Sequence, residues 1–233
     1  MSTGDAAVGA SLILLALVTL YLAMIVLRKY RRGANSYLWW GAGIFLGFVT
    51  IIQEAFIYFG YWSQPLIQSY IFMVALLVGF LSIGSVNLLR SEWVRGTWLG
   101  YITLMSIATA YFSFTTPVSR DVVVGGVILG AFPLNDIISS TLVTAPAATA
   151  VIALALYSTW RTRKPGTLFI AAGGIVISIA GTLFVLRSFP ATLYYAEFAG
   201  IILLFLGFID FPSRHTLPAA ASAAAAGHGR GRN

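Results

Sequence analysis

The chain has 233 residues, 59% of them hydrophobic and 9% charged, with a mean hydropathy of +0.89, which leaves too few charges to cover a water-soluble surface. That excludes a soluble globular domain and makes lipid the outer solvent. The net charge of +7 is spread over short segments with no basic groove or stacking aromatics, so it speaks for topology and anionic lipid, and no nucleic acid is expected as a partner. With no cysteine, disulfides, thiolate nucleophiles and Cys-bound metal sites are excluded.

A hydrocarbon core of about 30 Å takes roughly 20 apolar residues per helix. Seven such runs follow one another: Val8 to Leu27, Tyr37 to Phe59, Pro65 to Leu89, Trp98 to Thr116, Leu134 to Tyr157, Thr167 to Leu186 and Pro190 to Phe211. The first is too long for a signal peptide, lacks a preceding basic residue and is followed by Arg28, Lys29, Arg31 and Arg32, so it reads as a retained helix. The expected architecture is an all-α integral membrane protein, a seven-transmembrane-helix bundle over residues 1–216. An Ala/Gly/Arg-rich tail at 217–233, without apolar periodicity, is expected to be disordered.

Of the 14 Lys and Arg, all but Arg120 and Arg187 fall in the first, third and fifth connections or the tail. The positive-inside rule therefore puts the N-terminus outside and the C-terminus in the cytoplasm. Trp39, Trp40, Trp93, Trp98 and Trp160 fall at predicted cytoplasmic ends and Trp62 at an outer end, where amphipathic rings favour the headgroups.

Between the fourth and fifth runs, Val122 to Val124 and Val127 to Leu129 flank Gly125-Gly126, the signal of a β-hairpin in the outer loop, with an apolar surface loop as the alternative. Pro146 inside the fifth run removes one helix hydrogen bond and frees a carbonyl. A candidate three-plus-one-plus-three parallel repeat rests on Ser63-Gln64-Pro65 against Ser188-Phe189-Pro190, with Tyr70 against Tyr195 at the same offset.

The polar chemistry lies inside the membrane. Asp5, Glu92, Asp121, Asp136 and Asp210 fall in loops or at helix ends, whereas Glu54 and Glu197 fall within the second and seventh runs. A charge at that depth costs about 3 kcal/mol on insertion scales and should face protein or water. Gly43, Gly47, Thr50, Glu54 and Tyr58 share one helix face, as do Tyr194, Glu197, Gly200, Leu204 and Gly207. Matching faces are Gln68, Ala75, Gly79 and Ser82 on the third helix; Thr103, Ser106, Ala110 and Ser113 on the fourth; and Gly174, Ser178 and Gly181 on the sixth. Glu54, Glu197, Gln53, Gln68, Tyr58, Tyr194, Tyr195 and Arg187 together define a candidate transport or binding cavity, polar and open to the outer side.

Enzymatic signatures are missing. Both histidines, His215 and His228, lie in the tail, so no intramembrane pair can hold haem or metal, and no Ser-His-Asp set or P-loop exists. Lys29 and Lys164, the only lysines, lie outside the seventh run, so no retinal Schiff base is expected there; no cofactor and no catalytic residue are predicted. The expected function is a multi-pass cell-membrane transporter or channel for a cation, a proton or a small polar solute. Two alternatives stand beside it: a non-catalytic subunit or scaffold with a membrane-protein partner or a homo-oligomer, and a seven-helix sensor without retinal.

Overall fold

The structure is a computed structural model that describes residues 3–30, 35–124, 126–128, 132–163, 165–185 and 190–209, with the side chains of 3–7, 124, 127, 180–185, 190–194 and 209 aside. The described residues form α1 (Thr3–Tyr30), α2 (Asn35–Tyr58), α3 (Gln64–Val86), α4 (Glu92–Thr115), α5 (Leu134–Thr162), α6 (Pro165–Val185) and α7 (Pro190–Ile209). A 3-10 turn at Arg120–Val122 and a two-residue ladder separate α4 from α5. In α1, α2, α3 and α5 the length and hydropathy suffice to cross a membrane, which marks a membrane protein; α6 and α7 contribute shorter apolar stretches, Pro165–Ile179 and Tyr195–Phe208. The tail falls outside the described residues.

Helix starts follow local chemistry. Ser63 caps α3 by accepting the Leu66 N–H at 3.3 Å, with Pro65 in the first turn, and Ser91 accepts the Val94 N–H at 3.4 Å to start α4. This second cap begins α4 six residues before the apolar run at Trp98, and the added turns carry Glu92 and Arg95, 3.5 Å apart.

Helices α1, α2, α3, α5, α6 and α7 pack in that order as a ring closed by α7 against α1, and α4 lies outside it against α3 and α5. Along α6 and α7 the backbones approach so closely that a Cβ at Gly173 would stand 2.8 Å from the Gly200 carbonyl oxygen, and one at Gly207 would stand 2.7 Å from that of Gly166. Glycine is what lets these two helices meet.

Leu104, Ile107, Tyr111 and Phe114 on α4, Ile138 and Leu142 on α5, and Ile175 and Ile179 on α6 are exposed. Apolar residues turned outward in this density are what a lipid-facing surface requires. Buried residues of α4 are Ile102, Ser106, Thr109 and Ser113, so the face expected from Thr103 and Ala110 is rotated by one residue and Thr103 is exposed. The α2 and α3 faces are buried as their spacing predicts: Gly43, Gly47, Thr50 and Glu54, and Gln68, Ala75, Gly79 and Ser82.

Pro146 lies inside a continuous α5 and cannot donate to the Leu142 carbonyl. The Tyr101 hydroxyl of α4 donates to that oxygen at 2.6 Å instead, so the carbonyl freed by the proline fastens α4 to the ring. Eight residues further along α4 and three residues back along α5, Thr109 Oγ1 donates to the Ser139 carbonyl at 3.0 Å, along the same seam.

The tryptophans are not all interfacial. Trp93 and Trp160 are 78% and 80% exposed at the ends of α4 and α5, as an interfacial belt requires. Trp40 is 3% exposed, donates from Nε1 to Ser85 Oγ at 3.2 Å and packs edge-on against Phe208, so it is a core residue of this end of the bundle. At the same end Lys29 reaches the Phe208 carbonyl at 3.0 Å, a cation on the last turn of α7.

At the opposite end Val123–Val124 and Val127–Ile128 pair antiparallel, Val123 with Ile128 and Val124 with Val127. Gly126 turns the chain with φ +79°, a conformation that carries no steric cost for glycine, while Gly125 lies outside the described residues. Val118, Val122 and Ile128 pack on Ile57, Ile67 and Tyr70, so this turn folds down over the ends of α2 and α3.

Candidate functional site

Beneath that cover lies Glu54, 3% exposed on the buried face of α2. The Tyr70 hydroxyl, from the facing turn of α3, donates to Glu54 Oε1 at 2.5 Å. A short O–H···O bond onto a carboxyl is among the strongest single contacts available in a low-dielectric interior. Glu54 Oε2 has no N–H or O–H donor among the described residues.

Glu197 of α7 brings its carboxyl within hydrogen-bonding reach of Glu54. The packing behind this contact joins Ile51 of α2 to Ile201 of α7, with Ala55, Tyr58, Ala196 and Phe198 around them. Two carboxylates have only acceptors to offer each other, so the pair closes with a hydrogen bond when one of them carries a proton, and two negative charges there repel. The arrangement can hold and pass one proton, or one cation bridging the two groups.

Two amides stand beside this pair. Gln53 is 8% exposed and donates from Nε2 to Ser69 Oγ at 2.9 Å, and Ser69 in turn donates to the Leu66 carbonyl at 2.9 Å. Gln68 is 7% exposed and donates to the Thr116 carbonyl at 2.8 Å, closing the last turn of α4 against α3. These contacts tie α2 to α3 and α3 to the end of α4.

Of the residues expected in the cavity, Glu54, Glu197, Gln53, Gln68 and Tyr58 lie in this end of the bundle around α2, α3 and α7. Tyr58 packs with the α1–α2–α7 core cluster. Tyr195 is 58% exposed and turned outward, because it stands two residues from Glu197 on a 3.6-residue helix and so points to nearly the opposite side. Its counterpart in the candidate repeat, Tyr70, is 8% exposed, so the two tyrosines occupy unlike environments. Arg187 and the side chain of Tyr194 lie outside the described residues. Glu54, Gln53 and Gln68, expected to line an open cavity, are buried.

Two residues escaped the sequence reading. Tyr70 has no charge and no periodic signal that distinguishes it from a core tyrosine; only the α2–α3 hairpin places it on Glu54. Asp136 sits in the first turn of α5, where its position suggests a helix-end acid in water, yet it is 0% exposed. The described groove between α3 and α4, about 250 Å³ and lined by Phe72, Leu76, Phe80, Ile102, Ser106 and Ile107, is apolar and does not belong to the carboxyl site.

No protein-family model matches the chain, and no match was found among curated proteins or solved structures.

Proposed function

We propose that the chain is a multi-pass membrane transporter with seven spans, its N-terminus outside and its C-terminus in the cytoplasm, that moves protons or couples them to a small polar solute. The observation that carries the reading is the Glu54–Glu197 pair: two acids kept in apolar helices, in mutual contact, with Tyr70 on one oxygen. Retaining a carboxyl at that depth costs several kcal/mol that a glutamine or leucine would avoid. Intramembrane acids held in pairs are the groups from which proton relays are built. Proton exchange fits better than a fixed divalent site, because among the described residues no group of three His, Cys, Asp or Glu gathers.

A second reading has its own support. Glu54 is 3% exposed and closed off by Tyr70, as in a non-catalytic subunit whose polar pair locks helices together. Proton flux into proteoliposomes, followed with an entrapped pH dye under an imposed potential, separates the two: the transporter acidifies or alkalinises the lumen well above protein-free vesicles, and the subunit leaves it unchanged.

A further inference from the structure

On the far side of α3 from Glu54 lies a second polar centre. Asp136 is 0% exposed, and among the described residues neither of its carboxyl oxygens has a hydrogen-bond partner. Ser113 of α4 is likewise 0% exposed with its hydroxyl unpartnered. Helices α4 and α5 run antiparallel, and the Thr109–Ser139 hydrogen bond of 3.0 Å fixes their register. Ser113 lies one turn beyond Thr109 and Asp136 one turn before Ser139, so the two unpartnered groups fall at the same level of the α4–α5 seam.

The surroundings supply oxygen. Thr109 Oγ1 donates to the Met105 and Ser139 carbonyls and Ser139 Oγ to the Asp136 carbonyl, which uses their protons and leaves their lone pairs. In the first turn of α5 the Asp136 and Ile137 N–H groups donate to the Pro133 carbonyl, at 3.0 and 3.2 Å, rather than to the carboxyl. The positive end of α5 favours an ionised carboxyl without satisfying its oxygens. A buried carboxylate amid hydroxyl and carbonyl oxygens, with no cationic side chain bonded to it among the described residues, suits a hard cation; with one negative charge, that cation is monovalent.

We propose that Asp136 and Ser113, with the Thr109 and Ser139 oxygens beside them, form a sodium site between α4 and α5. It is separate from the Glu54–Glu197 pair, since α3 packs against α2 on one side and α5 on the other, and it stands whether or not the chain transports protons.

The test uses the full-length protein in detergent, with melting temperature and calorimetric titration as readouts, so flux plays no part in it. Replacing choline chloride by NaCl at equal ionic strength should raise the melting temperature by at least about 4 °C, KCl should do less, and NaCl titration should give saturable heat. Asp136→Asn and Ser113→Ala should each abolish the sodium increment. If Asp136→Asn does not fold, Ser113→Ala and the titration of the unmodified protein decide the matter. Equal melting in NaCl and choline chloride with no heat of binding overturns the site, as does a sodium increment that survives in Ser113→Ala or a response to pH alone.

Discussion

Replacing Tyr70 by Phe removes one oxygen and nothing else from a position that is 8% exposed, so no cavity opens and backbone propensity is unchanged. What is lost is the 2.5 Å bond to Glu54 Oε1, which leaves that buried oxygen without its tyrosine. A buried hydrogen bond to an acidic group contributes about 1.5–3 kcal/mol. For a chain of this length that corresponds to a fall in melting temperature of roughly 4–10 °C. Thermal unfolding in detergent of the unmodified protein, Tyr70→Phe, Glu54→Gln and the double variant forms a complete cycle. The bond predicts a coupling of at least about 1 kcal/mol between the two positions, so that Tyr70→Phe costs much less once Glu54 is neutral. Melting within about 1 °C of the unmodified protein, or strictly additive losses, would refute the assignment of Tyr70 as the partner that holds Glu54.

Two further expectations concern the fold. Tyr101→Phe should destabilise by about 1 kcal/mol by leaving the Leu142 carbonyl unpaired, and in a Pro146→Ala background, where residue 146 regains the N–H that serves this carbonyl, the same change should be nearly neutral; denaturant titration of the four proteins reads both. Because the chain has no native cysteine, Ser119→Cys should be labelled by an impermeant thiol reagent only from outside the cell and Thr162→Cys only from the cytoplasm, and the reverse pattern would invert the proposed orientation.

The helices were legible because apolar runs of span length leave little choice in lipid; boundaries moved outward where a cap or charged turn extends a helix past its run, as at Ser91, and inward where α3 ends at Val86, short of the run to Leu89. The inward face of α2 was legible for a similar reason: glycines and Thr50 recur with Glu54 at helical spacing, and only a protein-facing stripe tolerates that composition. Tyr70 was not legible, since its role comes from the angle of the α2–α3 hairpin. The burial of Asp136 was not legible, because its place in the first turn of α5 carries no signal that distinguishes it from a solvated helix-end acid. The exposure of Tyr195 was in principle readable, because a residue two away from Glu197 cannot share its face. The sequence repeat pulled the other way, matching Tyr195 to a tyrosine that turns inward.

The central claim is that Glu54 and Glu197 form one proton site, and proton flux through Glu54→Gln, Glu197→Gln and the doubly substituted protein in proteoliposomes tests it most directly. Both changes keep side-chain shape and remove the exchangeable carboxyl. One shared site predicts that each single variant loses the flux of the unmodified protein and that the double variant is no worse than either. Flux that persists in one single variant, or that falls in independent steps to a third level in the double, would contradict it.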